Sequence, residues 1–203
     1  VWSELARIIT GKNASQVLSR MNDDGVLAAI IGYPLHSEVF DLVSRVPEDL
    51  EARFALISSK INQNDLTIIL ERLKVSKTTF NRTKFLHSLL EKLPKQNELR
   101  LYRYSLGAEV ITHSSMLAAL NVNTDLINKS LNYPSEINCL VNGEWIMQRT
   151  GLSPGIKLGR LKDWLFRIQI ERGYENLGQM ETALCTIPWQ NGDPKLWPRP
   201  NWP

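Results

Sequence analysis

The sequence predicts an all-α protein: a multi-helix bundle with a helix-turn-helix hairpin near the C-terminus and an irregular tryptophan- and proline-rich tail. Three observations point there. Apolar residues recur at helical spacing through most of the chain, as in Leu5, Ile8 and Ile9, or Val39, Phe40, Leu42, Val43 and Val46. Breaks at glycine, proline and asparagine cut the chain into segments of ordinary helix length. No segment alternates convincingly; Ile137 to Val141 comes nearest to a strand and is too short to found a sheet.

Taken in order, the breaks fall at Gly11, Gly25, Gly32-Tyr33-Pro34, Pro47, Asn62 to Asn64, Pro94, Gly107, Tyr133-Pro134, Gly143, Gly151 and Gly173. Start signals support several of the resulting helices. Asp49 precedes the helix through Phe54 and Ile57, Ser76 caps a run toward Phe80, Phe85 and Leu89, and Asp125 lies in the first turn of a short helix. Gly151 ends the helix of residues 144–150; Ser153 and Pro154 then sit where a new helix needs its Ncap and N1 residues. Gly155 and Gly159 leave room for another backbone. Leu158, Leu161, Trp164, Leu165 and Ile168 share one face of that last helix. From Ile187 onward nothing helical survives: four of the last ten residues are proline, and Trp189, Trp197 and Trp202 stand among them. Such a tail either docks its tryptophans into grooves or offers them to a partner.

Composition narrows the classes. With 203 residues, 43% of them hydrophobic and 22% charged, the chain can bury a core and is not a disordered protein. The longest apolar run, Val26 to Ile31, is far short of the roughly 20 residues that a membrane span needs, so no membrane partner is expected. Two cysteines, Cys139 and Cys185, cannot build a disulfide framework or a four-ligand zinc site, which suits a cytoplasmic protein with small buried thiols.

Charge is more informative by segment than in total. Residues 1–71 carry six basic and ten acidic side chains, whereas 72–103 carry nine basic and two acidic; 104–148 return to net −3, and 149–172 rise to +4. Two basic islands in an otherwise acidic chain would form a footprint for a polyanion if the fold exposes them, and solvated helix faces if it does not. In the first island Lys74, Lys77, Arg82, Lys84, Arg100 and Arg103 are the candidate phosphate contacts. Among its aromatics, Phe80 and Phe85 are expected in the core, and Tyr102 and Tyr104 are better placed for stacking. In the second, Ser153, Gly155, Lys157, Arg160 and Arg167 surround the start of the hairpin's second helix, which is either a phosphate seat or simply a tight turn.

No catalytic set emerges. His36, His87 and His113 are far apart and lack acidic or thiol neighbours at ligand spacing; no phosphate-binding glycine loop occurs. Gly151-Leu-Ser-Pro-Gly has the letters of a nucleophile elbow, but a helix rather than a strand precedes its serine.

Two stretches resemble one family. Trp2-Ser-Glu-Leu-Ala-Arg-Ile-Ile, the short gap after it and the following helix ending at Gly25-Val-Leu are similar to the neck helices of class II tRNA nucleotidyltransferases, the CCA-adding enzymes related to bacterial poly(A) polymerases. Asn142-Gly, Gly151-Leu-Ser-Pro-Gly and Gly159 four residues on resemble that family's tail hairpin. The resemblance implies neck helices over 1–33, a helical body over 34–134, a tail hairpin over 135–186 and an extended segment over 187–203. It implies that these parts grip the acceptor and T-arm of tRNA while an N-terminal head, in cis or as a separate subunit, joins CTP and ATP to the 3′ end with Mg2+. The head's glycine-rich turn, Asp-x-Asp pair and nucleotide template have no counterpart here. No cofactor is expected in this chain, no catalysis by it alone, and no choice between CCA, CC and A addition. Ser3, Glu4 and Arg7 match polar neck positions that support the template helix. The rival expectation, from another class, is a helical protein-interaction module that does not bind RNA.

Overall fold

The computed structural model describes residues 1–203 and contains thirteen α-helices and no strand. In chain order these are α1 (Trp2–Thr10), α2 (Ala14–Asp23), α3 (Val26–Ile31), α4 (Phe40–Val43), α5 (Leu50–Ile57), α6 (Gln63–Arg72), α7 (Lys77–Leu89), α8 (Leu99–Leu106), α9 (Glu109–Ala119), α10 (Asp125–Ser130), α11 (Gly143–Thr150), α12 (Ile156–Arg172) and α13 (Leu177–Thr186). No helix is long and apolar enough to cross a membrane. The chain forms two compact units, residues 1–93 with 111–124 and residues 94–110 with 125–203. The division thus cuts through the expected body of residues 34–134.

In the first unit, α1 to α3 share one core with the helices that follow: Leu5, Ile9, Leu18, Leu27 and Ile31 pack with Phe40, Val43, Phe54, Leu66, Ile69 and Leu70. The expected starts of α5 and α7 are made by the residues named above. Asp49 accepts a hydrogen bond from the Ala52 amide at 3.0 Å, and Ser76 one from the Thr79 amide at 3.1 Å. Helix α3 ends at Gly32, whose positive φ of 75° is one reason for glycine there. The other is Arg72, whose guanidinium donates to the carbonyls of Ala29 and Ile30 and lies within 3.0 Å of where a Cβ would stand.

His113 of α9 is fully buried and its Nε2 donates to the Leu89 carbonyl at 3.0 Å. Burial holds its pKa down to about 4. The unfolded chain takes up a proton below its ordinary value near 6.5, while the folded protein does so only nearer 4. Stability is therefore expected to fall as pH drops from about 6.5 toward 4, and the decline should flatten in His113→Gln when urea midpoints are measured across that range.

In the second unit α12 is the central helix. Its Leu158, Leu161 and Leu165 stripe, read correctly from spacing, is buried with Val141, Ile146, Met180, Ala183 and Leu184. Residues 137–141 form no strand, and the buried Gln169 side chain takes two of their polar groups: its Oε1 accepts from the Leu140 amide and its Nε2 donates to the Asn138 carbonyl, both at 2.9 Å. The last residues form a strap that docks on its own unit and includes a short 3-10 turn at Pro194–Leu196, which the proline pattern concealed. Trp197 lies in the α12 core and tilts against Trp164, and Trp202 meets Tyr102 edge-on at 4.7 Å.

Candidate nucleic-acid interface

Within the first unit the expected cations divide by exposure. Arg82 is taken up by the fold: its Nη1 and Nη2 lie 2.7 and 2.5 Å from the two Asp49 oxygens, and Nη1 is 3.1 Å from Glu51. Burial alone would raise the Asp49 pKa, but hydrogen bonds from Arg82 and the Ala52 amide outweigh it and hold the carboxyl below its ordinary value. Lys84 is half-buried, donating to Thr67 Oγ1 at 2.7 Å with its ammonium 5.4 Å from the Phe80 ring centre. Lys74 and Lys77 are exposed.

Those two lysines flank a tight junction that spacing did not single out. Helix α6 closes with the Lys74 amide on the Glu71 carbonyl and the Val75 amide on the Leu70 carbonyl, the paired bonds of a left-handed helix end. Lys74 occupies the left-handed position at φ 51°, where glycine is usual. Four residues separate α6 from α7, so the pair is a second helix-turn-helix, distinct from the expected one. Its sequence signal was present in the apolar positions Ile69, Leu73, Val75 and Phe80 around a serine cap, but the left-handed lysine hid the turn.

Within the second unit the arginines again serve the frame. Arg100 stacks over the Tyr133 ring at 4.6 Å and packs against Gly173, where a Cβ would stand 2.5 Å from it. Arg103 donates to the carbonyls of Gly107 and Tyr133. Arg160, only 8% exposed, donates to the Pro194 and Trp197 carbonyls and pairs with Asp163 at 3.3 Å; Arg167 pairs with Glu171 at 2.7 Å and donates to the Arg199 carbonyl. Lys157 is half-buried, with Nζ 3.4 Å from the Gln190 carbonyl and 5.9 Å from the Trp189 ring centre. Three cations of α12 thus face one strap.

Several local expectations are corrected. Ser153 is exposed and does not cap α12; the Ncap is Gly155, with no side-chain cap bond, because Pro154 and Gly155 stay outside the helix and it begins two residues later than the Ser-Pro pair suggested. A Cβ built at Gly155 or Gly159 would meet open space, so no neighbouring backbone approaches either glycine. Tyr102 is fully buried and its pKa is raised by that burial, and Tyr104 packs edge-on to Phe166 at 5.4 Å; both rings are used in packing. Phe80 packs on the core as expected, whereas Phe85 is 39% exposed on the outer face of α7.

The groups considered for chemistry have structural places. His87 contacts the Ser58 carbonyl at 2.9 Å and the Gln63 amide at 2.8 Å. Burial pushes the Cys139 thiol up. Cys185 is exposed, contrary to the expectation of a buried thiol, and borders a cleft of about 370 Å³ with Arg149, Glu181 and Trp189. No group of three or more His, Cys, Asp or Glu side chains is placed to hold a metal ion. Compared with family models, curated proteins and solved structures, the chain matches none of them.

Proposed function

We propose that this chain is the RNA-binding neck, body and tail of a cytoplasmic CCA-adding tRNA nucleotidyltransferase, and that an N-terminal head, in cis or as a separate subunit, supplies Mg2+-dependent transfer from CTP and ATP. The observation that carries the reading is the split between committed and exposed cations. Arg82, Arg103, Arg160 and Arg167 are committed to carboxylates or main-chain carbonyls and Arg100 to the Tyr133 ring, while Lys74 and Lys77 project to solvent, as sequence-independent phosphate contacts require. Of the second island's candidates Lys157 is the least committed, since its one protein acceptor is a neutral carbonyl at 3.4 Å. The family-like segments also fold as a cap and a stop: Asn142 Oδ1 accepts from the Trp145 amide at 2.8 Å, and α11 ends at Gly151 with φ 69°.

The protein-interaction alternative relied on exposed tryptophans at the C-terminus. Trp197 and Trp202 are 7% and 8% exposed and Trp189 is half-buried, which leaves less aromatic surface for a partner than that reading called for.

Filter binding of the chain to tRNA at increasing salt tests the proposal. Affinity should fall steeply, and Lys74→Glu with Lys77→Glu should weaken binding about tenfold or more, with the log–log salt slope reduced by roughly 0.9 per lost contact. A flat salt response, unchanged affinity in the double variant, or nucleotide incorporation by the chain alone would overturn it.

A further inference from the structure

We propose that α6 and α7 form a DNA-reading helix-turn-helix, with α7 entering the major groove of duplex DNA, Lys74 and Lys77 on phosphates, and Thr78, Asn81 and Phe85 at base edges. This shares Lys74 and Lys77 with the tRNA reading but rests on the α6–α7 geometry and on Thr78, Asn81 and Phe85, which that reading does not use.

The architecture carries the first part. Two helices of ten and thirteen residues are joined by the four residues 73–76, with the left-handed residue at Lys74 and the second helix capped by Ser76. The hairpin is locked from inside: Ile69, Leu73, Val75 and Phe80 pack on the unit's core, and Thr79 and Thr83 are buried. Gln63 and Thr67 of α6 reach Lys84 and His87 of α7. Asp49 and Glu51 fix Arg82 at the flank. A reading helix needs this rigidity, because base discrimination depends on side chains held in register.

The outer face carries the second. At 3.6 residues per turn, Lys77, Thr78, Asn81, Lys84, Phe85 and Ser88 fall within an arc of about 120°. Lys77, Thr78, Asn81 and Phe85 are exposed, and no acidic residue occurs between Leu73 and Leu90. A bare helix of about 10–12 Å diameter fits the roughly 12 Å major groove of B-form DNA. The deep, narrow major groove of A-form RNA excludes it. The side chains suit the groove's chemistry as well. An Asn amide pairs with the N6 and N7 edge of adenine, a Thr hydroxyl donates or accepts, and an exposed Phe ring packs on a thymine methyl.

The test is in vitro selection by the intact chain from a randomised duplex DNA pool, followed by anisotropy measurements. The probes are the enriched duplex, a scrambled duplex, an RNA duplex of the enriched sequence, and tRNA. A short recurring site bound at least tenfold more tightly than the scrambled duplex is expected. Thr78→Ala with Asn81→Ala should lower that preference about tenfold or more while leaving scrambled-duplex and tRNA binding unchanged. Lys77→Glu should weaken both DNA duplexes alike. Failure to enrich a site, an RNA duplex bound as tightly as the DNA, or a preference untouched by the Thr78/Asn81 variant would each overturn the inference. Salt-dependent tRNA binding lost in the Lys74/Lys77 variant, with no DNA site enriched, would sink this proposal and leave the RNA reading standing.

Discussion

Replacing Arg53 with methionine is expected to lower the stability of the first unit by about 2–5 kcal/mol, because two buried carbonyls lose their donor at about 1–3 kcal/mol each. Arg53 is only 5% exposed. Its guanidinium donates to the Val46 and Pro47 carbonyls at 2.9 Å from Nη2 and Nε, and to Ile9 at 2.9 Å and Gly11 at 3.4 Å from Nη1. Those acceptors belong to the end of α1, the glycine after it and the turn before α5, three pieces of backbone that no helical ladder satisfies. The guanidinium also sits where the partial negative charge of the α1 C-terminus lies, which offsets part of its desolvation. Methionine keeps the apolar stem and volume but leaves the Ile9 and Val46 carbonyls without a donor, while the Pro47 and Gly11 carbonyls keep the Asp49 and Ala14 amides. Urea denaturation followed by circular dichroism should show the midpoint moving down; Arg53→Lys should recover only part of the loss, since an ammonium cannot span the same fork. A midpoint within 0.5 kcal/mol of the parent would mean the cluster is not holding these segments.

The second large effect is expected at Arg160. Arg160→Met should release the strap, at a cost of about 2–4 kcal/mol to the second unit, because two carbonyl bonds and the Asp163 pair disappear together. The readouts are a red shift in tryptophan emission as Trp197 leaves the α12 core, and faster tryptic cleavage after the exposed Lys195. Arg167→Met, which removes a bond to Arg199 and an ion pair at the half-exposed Glu171, should have a smaller effect of the same kind. Parent-like emission and cleavage in Arg160→Met would show that Trp197 alone is enough to dock the strap.

The contrast between what could be read from the residues and what could not follows from the range of each interaction. Caps at Asp49 and Ser76, the stop at Gly151 and the α12 apolar stripe are local: donor, acceptor or packing face lies within a few residues, so spacing reveals it. Ser153 failed because Ser-Pro fits an Ncap–N1 pair equally well whether or not the helix starts there. The charged candidates failed differently. Segment composition located the basic islands, yet an arginine's partner is a tertiary matter: the acceptors of Arg160 stand 34 and 37 residues away, and the carboxylates of Arg82 31 and 33. Tyr102 likewise read as a ring placed for stacking, because nothing local reveals that Trp202 covers it.

That last contact bears on how the molecule is made. The Trp202 amide donates to Ser105 Oγ, 97 residues earlier in the chain, and its indole reaches Glu98. Segment 94–110 therefore waits for its cover until residue 202 has emerged from the ribosome, whereas α1 to α7 have their core complete long before. During synthesis the early unit is finished while the late one still exposes Tyr102, and that ring is covered only once Trp202 is free to reach it.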